Sequence, residues 1–302
     1  MNETIIIKKG LEIELDIESL AYGGMGLSRK ENFVIFVKYA IPGQKVLARI
    51  YKKRKGYAEA QVLKILDESI HAVDVRCNHY WICSKIQSLS YDEQIKEKSA
   101  QVEDVFIRLA GFTDFKLDKV VKADAIYNYR NKMEFTFSPN RWVLDSEPEG
   151  VDKSFALGLH IPGRFDKILD VNNCHIQPEI GNRILKTARE VCLKNPELRP
   201  YNPRSHVGFL RFLMLRYGVN TGDLMVNIVT SYHDINKVSL LADVLLEKFP
   251  DITSLVNNVN TRKADVAFGE YETLLFGESY IREKIGELNF KISANSFFQT
   301  NT

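Results

Sequence analysis

The four cysteines are the residues with the most distinctive chemistry in this sequence: Cys77, Cys83, Cys174 and Cys192. Five residues separate Cys77 from Cys83, which is not the spacing of a zinc knuckle, and Cys174 lies far along the chain in DVNNCHIQ. Two interpretations stay open. The thiols are scattered small core side chains, or a loop and a distant turn converge on a soft metal or an iron–sulfur cluster. The helical stretch TAREVCLKNP predicts that Cys192 is a core residue.

Other patterns that would mark an active site are absent from the sequence. AYGGMG is not a phosphate loop, because no Lys-Ser/Thr pair follows it and a strand comes next. No GxGxxG pattern opens a βαβ unit, and the six histidines show no metal-ligand spacing. The residues alone therefore indicate no convincing catalytic centre.

The distribution of charge is more informative than its sum. The formal net charge is only +2, but residues 52–55 form the compact basic run KKRK, and further cations occur in YNYRNK and IPGRFDK. Such a run is either a solvated loop or a contact for a polyanion. Its place within a predicted small β-barrel favours the polyanion.

Length and composition indicate a cytoplasmic globular protein. The chain has 302 residues, 45% hydrophobic and 26% charged, and this length predicts two domains. No run of 18 apolar residues is present, so no membrane span is expected. The first residues lack the basic start, apolar core and cleavage site of a signal peptide.

Residues 1–66 are predicted to form a small β-barrel of the oligonucleotide-binding kind. In GLEIELDIESL, apolar and acidic residues alternate with the period of a half-buried strand. AYGGMG is a glycine-rich turn, and several short strands follow within the same stretch. Closing these strands into a barrel would remove their exposed edges.

An irregular connector is predicted over 67–90 and a helix over 91–112. Ser90 and Glu93 have the spacing of a capping box, and Gly111 ends the helix. One face of this helix is apolar, made of Ile95, Val102, Val105, Phe106 and Leu109.

Strands and helices mix over 113–292, which predicts an α+β domain. YNYRNKMEFTFS, FALGLHIPG, FLMLRYG and DLMVNIVTS indicate strands, whereas PEIGNRILKTAREVCLKN and HDINKVSLLADVLLEKF indicate helices. The connections are too short for repeated crossovers, so mainly antiparallel strands are expected.

Several blocks resemble, in order, the RNA 5-methyluridine methyltransferases, which methylate C5 of uracil in ribosomal and transfer RNA. These blocks are YNYRNKMEFTFS, ALGLHIPGRFDKILDVNNCHIQPEI, GFLRFLMLR, GDLMVNIVT, FPDITSLVNNVN and KISANSFFQTN. The N-terminal barrel similarly resembles the TRAM module that precedes many ribosomal-RNA members.

This resemblance implies a three-part enzyme: a TRAM barrel, a central α/β domain, and a Rossmann-like domain that binds S-adenosylmethionine. In the family a cysteine thiolate adds to C6 of uracil, C5 takes the methyl group, and a base removes the C5 proton. Both groups belong to the C-terminal domain, which would begin within 293–302. We therefore expect a chain that is truncated before its catalytic domain and inactive by itself, with the helix over 91–112 packing on that missing domain.

The resemblance also implies which residues meet the ligands. Gln299 matches a glutamine associated with the cofactor and the target base, and Phe297 or Phe298 matches an aromatic position suited to packing on a base. The basic positions expected to contact RNA are Arg130, Lys132 and Arg164 in the central domain, and Lys52, Lys53, Arg54 and Lys55 in the barrel. A surface ion pair is the alternative role for each central-domain cation.

The iron–sulfur members of the family carry C-x5-C-x2-C and a distant fourth cysteine. Cys77 and Cys83 keep the first spacing and Cys174 lies in the block of the fourth, but Ile86 occupies the third position. The implied metal site is a degenerate one with Cys77, Cys83 and Cys174 as ligands, or it is empty.

Three functions are compatible with the sequence. The first is the RNA-binding and substrate-positioning part of an S-adenosylmethionine-dependent RNA (uracil-5-)-methyltransferase, with the 23S ribosomal RNA favoured over transfer RNA. The second is a stand-alone RNA-binding adaptor, and the third is an iron–sulfur redox sensor. A monomer without membrane partners is expected.

Overall fold

The computed structural model describes residues 6–264 and 266–302. The chain divides into two compact units, the first ending at Asp124 and the second spanning Ala125–Thr302. The predicted connector over 67–90 and helix over 91–112 lie in the first unit, as does the beginning of the predicted central domain. The predicted segment 293–302 lies in the second unit.

A six-stranded sheet forms most of the first unit. Its strands are β1 (Glu12–Asp16), β2 (Ser19–Ala21), β3 (Met25–Lys30), β4 (Phe33–Lys38), β5 (Lys45–Lys53) and β6 (Tyr57–Asp67). They pair in the order β1-β5-β6-β4-β3-β2, and only the β4–β6 pair is parallel among the described residues. The predicted alternation is confirmed, because Ile13, Leu15 and Ile17 are buried in this unit's core while the intervening acids are exposed.

The sheet was predicted to close into a barrel, but among the described residues no strand pairing joins its two edge strands. These edge strands, β1 and β2, end the series of pairings. The glycine-rich turn between β2 and β3 is as predicted, with Gly23 and Gly24 at φ of +91° and +81°, a region that favours glycine.

Helical structure follows the sheet. A short helix α1 (Tyr80–Cys83) precedes α2 (Tyr91–Asp104), which continues as a π-helical turn over Val105–Leu109. The predicted helix is thus present but ends earlier, and Gly111 lies just beyond it at φ +75°. The predicted capping box is not formed. Glu93 instead lies 3.5 Å from Nδ1 of His71 and pairs with Lys96.

The apolar face predicted for this helix is half-buried at Ile95 and exposed over the rest of its length. Val102, Val105 and Phe106 are more than one-third exposed, and Leu109 is 81% exposed. Phe106 stacks on Phe115 with ring centroids 4.3 Å apart. That the face packs on a catalytic domain stays a prediction.

The second unit is built on an eight-stranded sheet. Its strands are β7 (Lys132–Ser138), β8 (Arg141–Trp142), β9 (Ala156–Ile161), β10 (Arg164–Asp170), β11 (Leu210–Tyr217), β12 (Leu224–Thr230), β13 (Ser254–Val259) and β14 (Tyr271–Gly277). They pair in the order β14-β13-β12-β11-β7-β9-β10-β8. The described pairs are antiparallel except β12–β13 and β8–β10, as the short connections predicted.

Two helices and a hairpin cover the two faces of this sheet. Helices α3 (Glu179–Lys194) and α4 (Ile235–Lys248) pack their apolar sides on Leu213, Ile228 and Leu255. The hairpin of β15 (Tyr280–Ile285) and β16 (Leu288–Ser293) packs on the other face, where Met225 and Val256 meet Ile281 and Ile292. Helix α4 is the crossover between the parallel strands β12 and β13, the connection that such a pair requires.

In the described part of the chain, no helix has the length and apolar character needed to cross a membrane.

Candidate nucleic-acid interface

The C-terminal segment 294–302 is held on the second unit by Asn131, the residue that precedes β7. The side-chain Nδ2 of Asn131 donates to the carbonyl of Gln299 and to Oγ1 of Thr302, both at 2.8 Å. Its backbone N–H donates to the carbonyl of Thr300 at 2.9 Å. Because Asn131 is buried, water does not compete well for these bonds. One asparagine therefore holds three residues of the segment, Gln299, Thr300 and Thr302.

Two buried charged side chains complete the attachment. Arg216 is 4% exposed, and its Nη2 donates to the carbonyls of Ala294, at 3.2 Å, and of Ser296. Glu283 is fully buried, and its carboxylate accepts from Oγ1 of Thr302 at 3.1 Å and from backbone amides of the turn after β11. Burial lowers the pKa of Arg216, yet an arginine guanidinium stays protonated in proteins. The segment is thus anchored at both ends.

Buried asparagines tie the start of the segment to the sheet. Nδ2 of Asn295 donates to Oδ1 of Asn258 at 3.0 Å, and Nδ2 of Asn258 donates to Oδ1 of Asn227 at 3.1 Å. Asn227 and Asn258 are at most 1% exposed and lie on the neighbouring strands β12 and β13. Buried polar groups are stable only when they are hydrogen-bonded. The chain of bonds from Asn227 through Asn258 to Asn295 therefore favours one position for the segment.

The side chains of this segment point in different directions. Phe298 packs in the cluster under the hairpin, with its ring 5.7 Å from that of Phe290. Phe297 is 85% exposed, and Gln299 is exposed although its carbonyl is bonded. Of the two aromatic positions predicted to meet a base, only Phe297 leaves its ring open to a ligand.

Cations surround the strand that receives the segment. Arg130 forms a backbone bridge with Asn301, and Lys132 begins β7 with its Nζ 3.7 Å from a carboxylate oxygen of Glu134. Burial lowers the pKa of Lys132, Glu134 opposes this effect, and Arg216 and Arg130 add to the lowering. Around the segment, the three cations Arg130, Lys132 and Arg216 exceed the two carboxylates of Glu134 and Glu283, and this surplus positive charge is suited to a phosphate.

Arg164 lies at the same end of the sheet. It pairs with Ile161 across the turn between β9 and β10, and β9 runs antiparallel to β7 with Gly158 opposite Thr136. The turn therefore lies toward the end where β7 begins. Arg164 is exposed, with its guanidinium carbon 5.9 Å from the ring centroid of Trp142.

The basic run of the first unit lies at the turn between β5 and β6. Lys52 pairs with Glu59, which also accepts from the hydroxyl of Tyr51 at 2.8 Å. These two hydrogen bonds, the one from Lys52 first, lower the pKa of Glu59. Lys52 is therefore engaged in an ion pair, whereas the cations at 53–55 are exposed.

The cysteines lie in contrasting surroundings. Cys83 is exposed, Cys77 is half-buried with its Sγ 3.8 Å from Oε1 of Gln87, and Cys174 is buried in the core beside α3. None of the four forms a disulfide. Across 6–264 and 266–302, no three His, Cys, Asp or Glu side chains are arranged to hold a metal ion. We assign no chemistry to a cluster, and the iron–sulfur site with Cys77, Cys83 and Cys174 stays a prediction.

Thiol labelling will test these surroundings. We expect Cys83 to react quickly with a disulfide reagent at mildly alkaline pH and Cys77 to react more slowly, because burial raises the pKa of Cys77. Burial also raises the pKa of Cys192 to about 12, so Cys192 and the core residue Cys174 should react only after unfolding. Rapid labelling of all four thiols in the native protein would contradict this placement.

Sequence reasoning missed the residues that hold the segment. Asn131, Arg216 and Glu283 lie in different strands or turns, and no local spacing relates them. One signal was present. Arg216 stands in the otherwise apolar strand FLMLRYG, where a cation must be bonded if the strand is central.

Comparison with known proteins supports the resemblance. Residues 8–63 match the model of the TRAM domain. The chain is 40% identical over 268 residues to an uncharacterized RNA methyltransferase of Chlorobaculum tepidum, covering 86% of this chain and 55% of that protein. It is 36% identical over 298 residues to another uncharacterized RNA methyltransferase, of Porphyromonas gingivalis, covering 95% of this chain and 64% of that protein. The chain thus spans between one-half and two-thirds of these relatives' length.

The fold is also known from a solved structure. The Pyrococcus abyssi tRNA (uracil-54, C5)-methyltransferase, in complex with S-adenosyl-L-homocysteine, superposes with a TM-score of 0.69 at 24% sequence identity. The match covers 95% of this chain and 61% of that one. The predicted mixed α/β architecture with an N-terminal TRAM-like sheet is confirmed.

Proposed function

We propose that the protein is an RNA methyltransferase that uses S-adenosylmethionine to methylate C5 of a uridine, and that these 302 residues bind and position the RNA. The relatives named as RNA methyltransferases and the fold shared with a tRNA uracil-C5 enzyme support the proposal. The 23S ribosomal RNA is the proposed substrate on the resemblance of the blocks. Methyl transfer is proposed for the whole protein, and cytoplasmic localisation and a monomer stay predictions.

The main structural support for the proposal is the geometry of the segment 294–302. Its backbone is fixed by buried hydrogen bonds, while Phe297 and Gln299 remain exposed on it. Proteins recognise unstacked RNA bases by stacking them on an aromatic side chain and bonding their edges. Phe297 supplies the ring, the Gln299 amide supplies a donor and an acceptor, and Arg130 and Lys132 supply charge for the backbone.

Gln299 is the described residue that we propose to contact the cofactor. The carbonyl of Gln299 is bonded to Asn131, so the backbone is fixed while the side-chain amide stays exposed. That amide can bond either polar groups of S-adenosylmethionine or the edge of the base. The cofactor, when bound, supplies an electrophilic methyl group.

Photocrosslinking tests the placement of the RNA. A hairpin RNA with 4-thiouridine in its loop should crosslink to the chain within 297–299, and Phe297→Ala should lower the yield severalfold. Because Phe297 is 85% exposed, this substitution should leave the thermal midpoint unchanged. Phe276→Ala, at an aromatic residue that is 47% exposed on β14, is the matched control and should keep the yield. Loop crosslinks that avoid 297–299 would contradict the proposal.

A further inference from the structure

The second unit contains an open cleft of about 700 Å³. Its walls include Arg199, Gly208, Phe209, Tyr232, Lys237 and Lys263. Phe209 directly precedes β11, whereas Arg216, which holds the segment 294–302, is near the other end of that strand. The cleft therefore lies at the opposite end of β11 from the interface described above.

The partly exposed aromatic ring of Tyr232 lies in one wall of this cleft. Tyr232 is 42% exposed, and one side of its ring packs against the buried Phe209 with centroids 5.0 Å apart. Lys237 Nζ donates to the Tyr232 hydroxyl at 3.0 Å and lies 5.3 Å from the ring centroid. The ring is thus held in place while part of its surface faces solvent.

Cations outnumber acids around this ring. Arg199, Lys237 and Lys263 line the cleft with one carboxylate, Glu197, and a second carboxylate, Asp234, lies 3.7 Å from Nζ of Lys237. Arg199 Nε donates to a backbone carbonyl at 3.2 Å, and no carboxylate of the described residues lies within ion-pair distance of its side chain. The hydrogen bond to Tyr232 raises the pKa of Lys237, so this amine is charged at neutral pH.

The backbone at Gly208 passes close to the backbone at Pro200, and this contact fixes the wall beside the Tyr232 ring. Gly208 has φ +124°, and a Cβ at this position would lie 2.2 Å from the carbonyl oxygen of Pro200. The carbonyl of Gly208 accepts from Oγ of Ser231 at 2.6 Å, next to Tyr232 in the chain. Only glycine fits here, and the contact joins the two stretches that form the cleft.

We propose that this cleft is a second RNA-binding site, which takes a nucleotide of a single-stranded or looped region. The base stacks on Tyr232, and the neighbouring phosphates contact Lys237, Arg199 and Lys263. The inference rests on the proposed RNA substrate and extends it to a contact far from the segment 294–302. An acidic peptide would use the same cations but would not need the open ring, which is why the observations favour RNA.

Binding of a labelled single-stranded RNA to the full 302-residue chain tests the site. Tyr232→Leu should weaken binding about fivefold or more, the effect of losing one stacked base, whereas Tyr232→Phe should keep most of the affinity. Lys237→Gln with Lys263→Gln should reduce the slope of log affinity against log salt by about one to one and a half. Lys186→Gln with Lys248→Gln removes the same charge from exposed positions outside the cleft and should change the slope little.

The outcomes separate this inference from the proposed function. If the wild-type chain binds RNA but the Tyr232→Leu and double-lysine variants bind equally well, the cleft assignment is overturned and the proposed function stands. If the wild-type chain binds no RNA even at low salt, both are overturned. If polyglutamate of equal charge competes as well as unlabelled RNA, the cleft is a site for acidic polypeptides and the inference is wrong.

Discussion

Replacing Lys53, Arg54 and Lys55 with glutamine is expected to weaken RNA binding about tenfold or more at moderate salt. The three side chains are exposed at the turn between β5 and β6, where they are free to meet phosphates. Each lost phosphate contact on a single strand lowers the salt slope by about 0.7, so the triple variant should lose about two from its slope. Lys52 is left in place, because its amine already pairs with Glu59.

A matched control removes the same charge from the same sheet. Lys45 and Arg49 pair with Glu14 and Glu12, with nitrogen–oxygen distances of 3.1 and 2.6 Å, and Lys64 is exposed on β6. Changing these three to glutamine should leave the affinity within about twofold of the wild type, since exposed ion pairs contribute little. An equal loss in both variants would show that net charge, and not the turn between β5 and β6, attracts the RNA.

Asn131→Ala is expected to lower the free energy of unfolding of the second unit by about 1–3 kcal/mol. The substitution removes the donor to the Gln299 carbonyl and to Oγ1 of Thr302, in a place where Asn131 is buried. The freed segment should then hold Phe297 and Gln299 less firmly and weaken RNA binding. Urea unfolding measures the first effect, and amide hydrogen exchange at position 131 should accelerate, because this N–H bonds to Thr300.

Asn236→Ala is the control for this prediction. Asn236 is exposed in the first turn of α4, so its loss should change the stability by less than about 0.5 kcal/mol. If Asn131→Ala matched this control in both stability and exchange, the segment would not depend on Asn131, and the proposed anchoring would be wrong.

Local patterns in the sequence predicted most of the architecture. The alternation of Ile13 and Leu15 with acidic residues predicted the buried face of β1, and apolar runs predicted the central strands β11 and β12. These predictions hold because burial on a strand or helix repeats with a short period that neighbouring residues show directly. The helix over 91–112 was found from the spacing of its apolar residues, although most of these are exposed in the structure. Its π-helical end and the partner of Glu93 depend on contacts with residues elsewhere.

The candidate site was less predictable, because long-range pairings build it. Asn131 and Gln299 are 168 positions apart, and Arg216 meets the carbonyl of Ala294 from 78 positions away. Among the predicted base-contacting residues, the resemblance did not distinguish Phe297 from Phe298. The packing of Phe298 against Phe290 under the hairpin makes that distinction, and it requires the fold of β15 and β16.

We propose that these residues bind RNA through exposed cations and aromatic rings. The most direct test is the equilibrium affinity of the 302-residue chain for a hairpin RNA, measured at several salt concentrations. We expect saturable binding whose log affinity falls linearly with log salt, with a slope near that expected for several phosphate contacts. Absence of binding at low salt, or binding that does not change with salt, would contradict it.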